Sequence, residues 1–478
     1  MSPQPARDAR TLLRDLGALV LGEGVAKLAG FAAFAYLART LSHERYGAVE
    51  LASALSMLFF LVVDFGFAPI GARELARDRS TARWLAAAIQ TLRLALALAS
   101  VACIQVASFF LDQPEETRTL VRVFGLSLIA APWALNWLFQ GLGRMLVVAA
   151  AQALRMTAFA LLVVFFVQED SALWRVGAIE LASATLMALY FVALQVRDAG
   201  APRLATDPVK LAELLREATP VGVSRMLWAV SQYFATLIVA SFAAPADVAW
   251  YGAAHRLVMA LGGFVMLYHF NLFPALVEAA QQGEARVREL LDPLYRATAW
   301  LAALGGVFGV AFGAALCALL YGAPFAASGA AFAWLVWTLA VALVGAHARY
   351  VLLAIGRQRE ELAANAVGAL VAVVTGLALV PTLGAVAGGA AIVLGNAAAW
   401  LVAHALAARG GFALPALAPL VRPVLADAAA LVAVRSLPIE SELMRGAIVV
   451  TALALAAPLV DAALRADLLR LARGGARA

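Results

Sequence analysis

The sequence predicts an all-α polytopic membrane protein of about fourteen transmembrane helices, built from two parallel copies of one helical bundle. Three observations carry that reading. Of 478 residues 64% are hydrophobic and only 14% charged, with a mean hydropathy of +0.87; a soluble protein is about half apolar and a quarter charged. Apolar runs long enough to span a bilayer recur from one end of the chain to the other. Finally, the chain matches itself at an offset of 205 residues: Tyr46-Gly47-Ala48 returns as Tyr251-Gly252-Ala253, and Pro69 returns as Pro274.

A spanning helix needs about 20 apolar residues. Candidate spans cover 16–38, 48–71, 85–110, 120–141, 146–167 and 172–195 in the first copy. In the second they cover 218–242, 249–275, 295–320, 328–352, 360–381 and 384–407. Two shorter runs, 419–435 and 446–463, complete the set. The corresponding domains are 1–200, a polar cytoplasmic linker 201–217, 218–408, and a C-terminal pair of helices with a basic tail, 409–478.

The loops sort by charge. With the amino terminus in the cytoplasm, 24 Lys and Arg residues fall on the cytoplasmic side and 7 on the other. The positive-inside rule therefore predicts both termini in the cytoplasm and an even number of spans. Each copy then begins on the same side, so the two are related by an axis along the membrane normal, an arrangement that usually puts a pathway between copies. No predicted loop is large enough for an extramembrane catalytic domain. The net charge of +6 reads as an orientation signal and not as nucleic-acid binding. With two cysteines, Cys103 and Cys317, a disulfide framework is not expected. A cleavable signal peptide, a phosphate-binding Gly-rich loop, a metal-ligand cluster and a nucleophile elbow are absent as motifs, so neither a cofactor nor ATP hydrolysis is expected.

Five basic residues remain, all inside predicted spans: Lys27, Arg93, Arg155, Arg225 and Arg256. A charge at the bilayer centre costs about 2.5–3.5 kcal/mol on insertion scales. Lys27, Arg93, Arg155 and Arg225 lie at similar predicted depth, a belt suited to a polyanionic head group arriving from the cytoplasm. Arg presents a planar fork that matches phosphate. Glu23 lies one turn before Lys27, which makes simple pairing an equal alternative. Arg93 and Arg225 have no acid nearby in sequence, whereas Glu180 has Arg175 close by.

A second set is titratable. Glu50 and Asp64 share one side of the second span, and their repeat partners are His255 and His269. Acids facing imidazoles could bind a proton or cation, and Glu23 is a further candidate for that coupling role; satisfied polar contacts are the alternative. His347 and His404 fall near predicted cytoplasmic ends, where snorkelling accounts for them. Pro69, Pro274, Pro132 and Pro220 mark candidate bending points, with Pro220 expected to open the seventh span.

Several segments together resemble bacterial polysaccharide flippases of the Wzx type, within the multidrug/oligosaccharidyl-lipid/polysaccharide exporter superfamily. They are Leu37–Arg77, Phe139–Met145 (FQGLGRM), Asp247–Leu257 (DVAWYGAAHRL), Leu272–Leu276 (LFPAL), Leu320–Phe325 (LYGAPF) and Leu352–Arg357 (LLAIGR). The resemblance implies two six-helix lobes around a central cavity, two extra C-terminal helices, alternating access and a place in the bacterial inner membrane. It implies a polyprenyl-diphosphate-linked oligosaccharide as substrate, membrane lipids as surroundings and polysaccharide polymerase or ligase machinery as partners. Lys27, Arg93, Arg155 and Arg225 would line the basic cavity. One departure stands out: relatives often carry an acid just after an aromatic residue on the seventh helix, where this chain has Tyr233-Phe234-Ala235-Thr236. A cation-coupled multidrug or small-solute antiporter is the competing reading. A membrane-embedded glycan ligase or polymerase is a weaker one, because it needs a sizeable outer loop.

Overall fold

A computed structural model describes residues 9–198, 200–412, 414, 418–437 and 441–475. Among these residues every regular element is helical. In chain order the α-helices are α1 Ala9–Thr40, α2 His43–Asp64, α3 Phe67–Arg77, α4 Ala82–Ser108, α5 Glu115–Gly125, α6 Asn136–Gly141, α7 Met145–Phe166 and α8 Trp174–Asp198. They continue as α9 Pro208–Phe242, α10 Pro245–Gln282, α11 Glu284–Tyr321, α12 Ser328–Ala354, α13 Gln358–Arg409, α14 Ala418–Ser436, α15 Glu442–Val460 and α16 Ala462–Gly475. The chain divides into two compact units, Met1–Ala229 and Val230–Ala478. The division falls inside α9, later than the polar stretch that separates the sequence copies.

Each predicted span overlaps helix, though two of them are interrupted. Ten helices among the described residues are long and apolar enough to cross a membrane, or eleven if the bent pair Pro208–Val230 and Gln232–Phe242 is one span. The fourteen predicted spans are therefore not all reproduced by that measure. One reason is visible in α13, which counts once but contains two of them. Gly384 breaks its helical geometry at φ 55° and ψ −133°. A Cβ on Gly368 would sit 2.7 Å from the Gly395 carbonyl, and one on Gly395 2.6 Å from the Gly368 carbonyl. In a straight helix those residues would lie about 40 Å apart at 1.5 Å per residue. The chain has folded back on itself. Asp247 secures the turn by accepting the Ala385 N–H at 3.0 Å.

Two further corrections concern breaks. The second span is not one helix: Asp64 ends α2, Phe65 and Gly66 both adopt left-handed backbone (φ 38° and 78°), and α3 starts afresh. Phe65 is the one non-glycine residue with positive φ among those described, a conformation that persists only where surrounding packing holds it. The fourth span is also interrupted. It passes from α5 through a 3₁₀ stretch, Leu126–Trp133, to α6. Pro220 does not open a helix, because α9 begins at Pro208 and carries Pro220 internally.

Apolar surface gives helices no reason to associate inside lipid, so close approach at small residues and dispersion take over. In the first unit, a Cβ on Gly71 would meet the Trp137 ring at 2.5 Å and Ile89 at 2.6 Å. Trp137, Phe67, Phe139 and Phe191 are fully buried around this contact. The Gly66 elbow packs against Gly222 of α9: a Cβ on Gly66 would lie 2.7 Å from the Gly222 nitrogen. In the second unit, Asp461 ties the C-terminal helices to α11. It accepts the Trp300 indole N–H at 3.1 Å and caps α16 through the Ala463 and Leu464 N–H groups, each at 3.1 Å.

Replacing Gly395 by Leu should force the two halves of α13 apart and cost about 1–3 kcal/mol, the usual penalty for overpacking. Thermal unfolding of the purified protein in detergent measures it; an unchanged midpoint would mean that the halves do not touch.

Candidate functional site

The first unit brings three of its intramembrane charges, Asp64, Arg93 and Arg225, together at the α2–α3 elbow. Asp64 is 4% exposed. One of its oxygens accepts from the Arg93 guanidinium of α4 and the other from the Arg225 guanidinium of α9. Arg93 also donates to the Ala134 carbonyl at 3.2 Å. That carbonyl is available because the fourth span is broken just there. Two interruptions in the backbone thus supply the two things a buried guanidinium requires, a carboxylate from one and a bare carbonyl from the other.

Local reasons bring these groups together. Asp64 is the last residue of α2, so its direction is set by where the helix stops. Gly66 and Gly222 let α9 approach the elbow, and Arg225 lies three residues beyond Gly222, on the same face. The guanidiniums differ in access: Arg93 has 4% of its side chain exposed and Arg225 has 42%. Arg93 is held inside the protein, whereas Arg225 has a surface left to offer. Two guanidiniums on one carboxylate leave a net charge of +1.

Sequence proximity misidentified the partners. Arg93 and Arg225 look free of acids along the chain, yet share one that is 29 and 161 residues away. Glu180 accepts from Arg155, not from Arg175; Arg175 donates to the Ser171 hydroxyl at 3.3 Å. Asp64 takes guanidinium partners in place of the imidazole expected for it. No linear spacing signals these pairings, since each depends on which helices become neighbours. Lys27 is exposed on α1, which packs along α7 through Gly22 and Gly30. The side chain of Glu23, its candidate partner, lies outside the described residues.

The repeat leaves a matched trace in each unit. Tyr46 donates to Glu50 at 2.6 Å, four residues on and 6% exposed. Tyr251 stacks on His255, four residues on, with centroids 5.6 Å apart and planes 11° from parallel. The prolines match less well. Pro69 falls in the first turn of α3, where a missing N–H costs nothing. Pro274 stands inside α10, which is unbroken there, and Pro132 in the 3₁₀ stretch. His269 lies in α10 of the second unit, with Tyr268, His347 and Tyr350 around it. Among the described residues no three His, Cys, Asp or Glu side chains converge as metal ligands would.

A family model described as "Polysaccharide biosynthesis protein" matches residues 12–280. A putative O-antigen transporter of Shigella dysenteriae is 25% identical over 265 residues, covering 54% of this chain and 65% of that one. The match thus spans just under two thirds of that relative's length. The fold is similar to that of the lipid II flippase MurJ in an inward closed conformation, with a TM-score of 0.72 and 10% identity over 93% of this chain and 99% of that one. An inward-facing multidrug resistance transporter of the MATE family follows at a TM-score of 0.62 and 14% identity, over 84% and 95%.

Asp64→Ala would leave Arg93 buried without a counter-charge, and breaking a buried pair this way costs about 3–5 kcal/mol. The thermal midpoint should fall sharply. Adding Arg93→Met to it should recover part of the loss, a coupling that independent sites would not show. Strictly additive midpoints would mean that the two side chains do not interact.

Proposed function

The chain belongs to the polysaccharide biosynthesis protein family, and from that premise we propose that it carries a polyprenyl-diphosphate-linked oligosaccharide from the cytoplasmic to the outer leaflet by alternating access. The half-exposed Arg225, paired with Asp64 beside the buried Arg93, carries the reading. A diphosphate is a bidentate, multiply charged acceptor, and Arg is the side chain that meets it with two parallel N–H bonds. Arg225 can turn from Asp64 to such a group without leaving the carboxylate alone, because Arg93 stays on it. Arg155 and Lys27 add positive charge elsewhere in the first unit. The sugar needs water and the prenyl tail needs lipid, which a multi-pass helical protein can offer together.

The Shigella relative, a putative O-antigen transporter, supports the same class of cargo. The charge balance of the loops supports both termini being cytoplasmic, and membership of the family supports a place in the bacterial inner membrane. Under this reading the chain transports and makes or breaks no covalent bond, and the polymerase or ligase that acts on the displayed glycan is a separate partner. A drug antiporter that exports cations is less well served, since the net positive elbow would repel its cargo.

Arg225→Gln tests the proposal. Losing a charge-assisted contact costs about 1.5–3 kcal/mol, so surface polysaccharide in cells relying on this protein should drop about tenfold or more, with the variant still present in the membrane. Arg225→Lys should keep part of the activity. Full display by the Gln variant would remove the diphosphate contact.

A further inference from the structure

Helices α14, α15 and α16 lie beyond both copies of the repeat and beyond the matched residues 12–280. They pack on α11 in the second unit around Asp461, which separates α15 from α16 and is 3% exposed. Asp461 is already satisfied by neutral donors. Its Oδ1 accepts the Ala463 and Leu464 N–H groups and its Oδ2 the Trp300 indole N–H, all at 3.1 Å. Arg422, near the start of α14, reaches Oδ1 only at 3.5 Å. A settled bond between a guanidinium and a carboxylate runs at about 2.7–2.9 Å. The neighbouring pair shows the contrast: Arg296 donates twice to Asp467, at 3.0 and 2.7 Å, and both side chains are largely covered. Arg422 keeps 57% of its side chain exposed.

A second guanidinium adjoins the same residue. Arg465 stands one turn into α16, where its backbone N–H donates to the Asp461 carbonyl at 3.0 Å. Its side chain is exposed and has no ion-pair partner among the described residues. Two guanidiniums on one carboxylate leave a net charge of +1. The surface next to Arg422 is apolar: Val421, Val424 and Leu425 of α14 are each more than half exposed, as is Leu459 at the end of α15. Long Arg side chains lie along such surface with the charged head at the membrane interface. Cations at the end of an apolar band match the form of one phospholipid, a phosphodiester above two acyl chains.

We propose that Arg422 and Arg465 bind the head group of an anionic phospholipid, whose acyl chains lie on the exposed side chains of α14 and α15. The phosphodiester supplies the counter-charge that Asp461, taken up by three N–H groups, gives Arg422 only at long range. Its single negative charge balances the +1 of the site. A zwitterionic lipid is held less well, because its ammonium meets the same cations. A soluble phosphate lacks the apolar contact. With the orientation that the loop charges support, the lipid belongs to the cytoplasmic leaflet. The assignment does not rest on the flippase reading.

Native mass spectrometry of the full chain, released from micelles holding equal phosphatidylglycerol and phosphatidylcholine, tests it. The unaltered protein should retain phosphatidylglycerol in preference, and the preference should weaken as salt is raised before release. Arg422→Gln combined with Arg465→Gln should cut that preference about thirtyfold, the effect of two basic residues at an anionic surface. Arg435→Gln, at the other end of α14, should leave it unchanged. Equal retention of the two lipids by the unaltered protein overturns the site, and so does a preference that the double variant keeps or that Arg435→Gln loses equally. Displacement of the lipid by glycerol phosphate at matching concentration would mean a soluble anion and overturn the lipid assignment. Should the double variant not fold, nanodiscs decide with the unaltered chain: phosphatidylglycerol should raise its thermal midpoint above that in phosphatidylcholine alone, and an unchanged midpoint overturns the proposal.

Discussion

One carboxylate organises the first unit. Asp64 stands where α2 stops and is shared by Arg93 and Arg225. In an apolar bundle a guanidinium without a counter-charge is too expensive to keep, and a carboxylate without a cation is equally so. The three groups therefore depend on one another. Their dependence constrains the backbone: α2 must end at Asp64, the fourth span must open at Ala134, and α9 must come close enough for Arg225 to reach.

The backbone meets those demands at particular small residues. Left-handed geometry at Phe65 and Gly66 turns the chain, and Gly222 lets α9 approach. Broken helices are tolerated at membrane depth only where protein or water satisfies the freed backbone groups. Arg93 does so for the Ala134 carbonyl at 3.2 Å. Breaks and charges are thus two sides of one solution. The half-exposed Arg225 is the one guanidinium of the three-group cluster with substantial surface left.

The two units differ at positions that the offset repeat matches. Tyr46 with Glu50 and Tyr251 with His255 preserve a shared i to i+4 contact, so the copies still read alike near the start of α2 and α10. They part company further along. Asp64 terminates a helix, while His269 stands inside a continuous one and turns to His347. Chemistry has diverged at the matched position while the helical frame was kept.

Composition and apolar runs were enough to read an all-α membrane protein, because spanning length and hydropathy are local properties of the chain. The same locality exposed the residues of interest: a charge within an apolar run is conspicuous, and Lys27, Arg93, Arg155, Arg225, Asp64 and His269 all announced themselves so. Their partners did not. Arg225 meets Asp64 across 161 residues, Arg155 meets Glu180 across 25, and His269 meets His347, which looked like a surface group near a helix end. Which helices become neighbours is decided by packing at Gly66, Gly222 and their like, and by where a helix breaks. Neither is written in the periodicity of any single segment, so only the tertiary structure could choose the pairs.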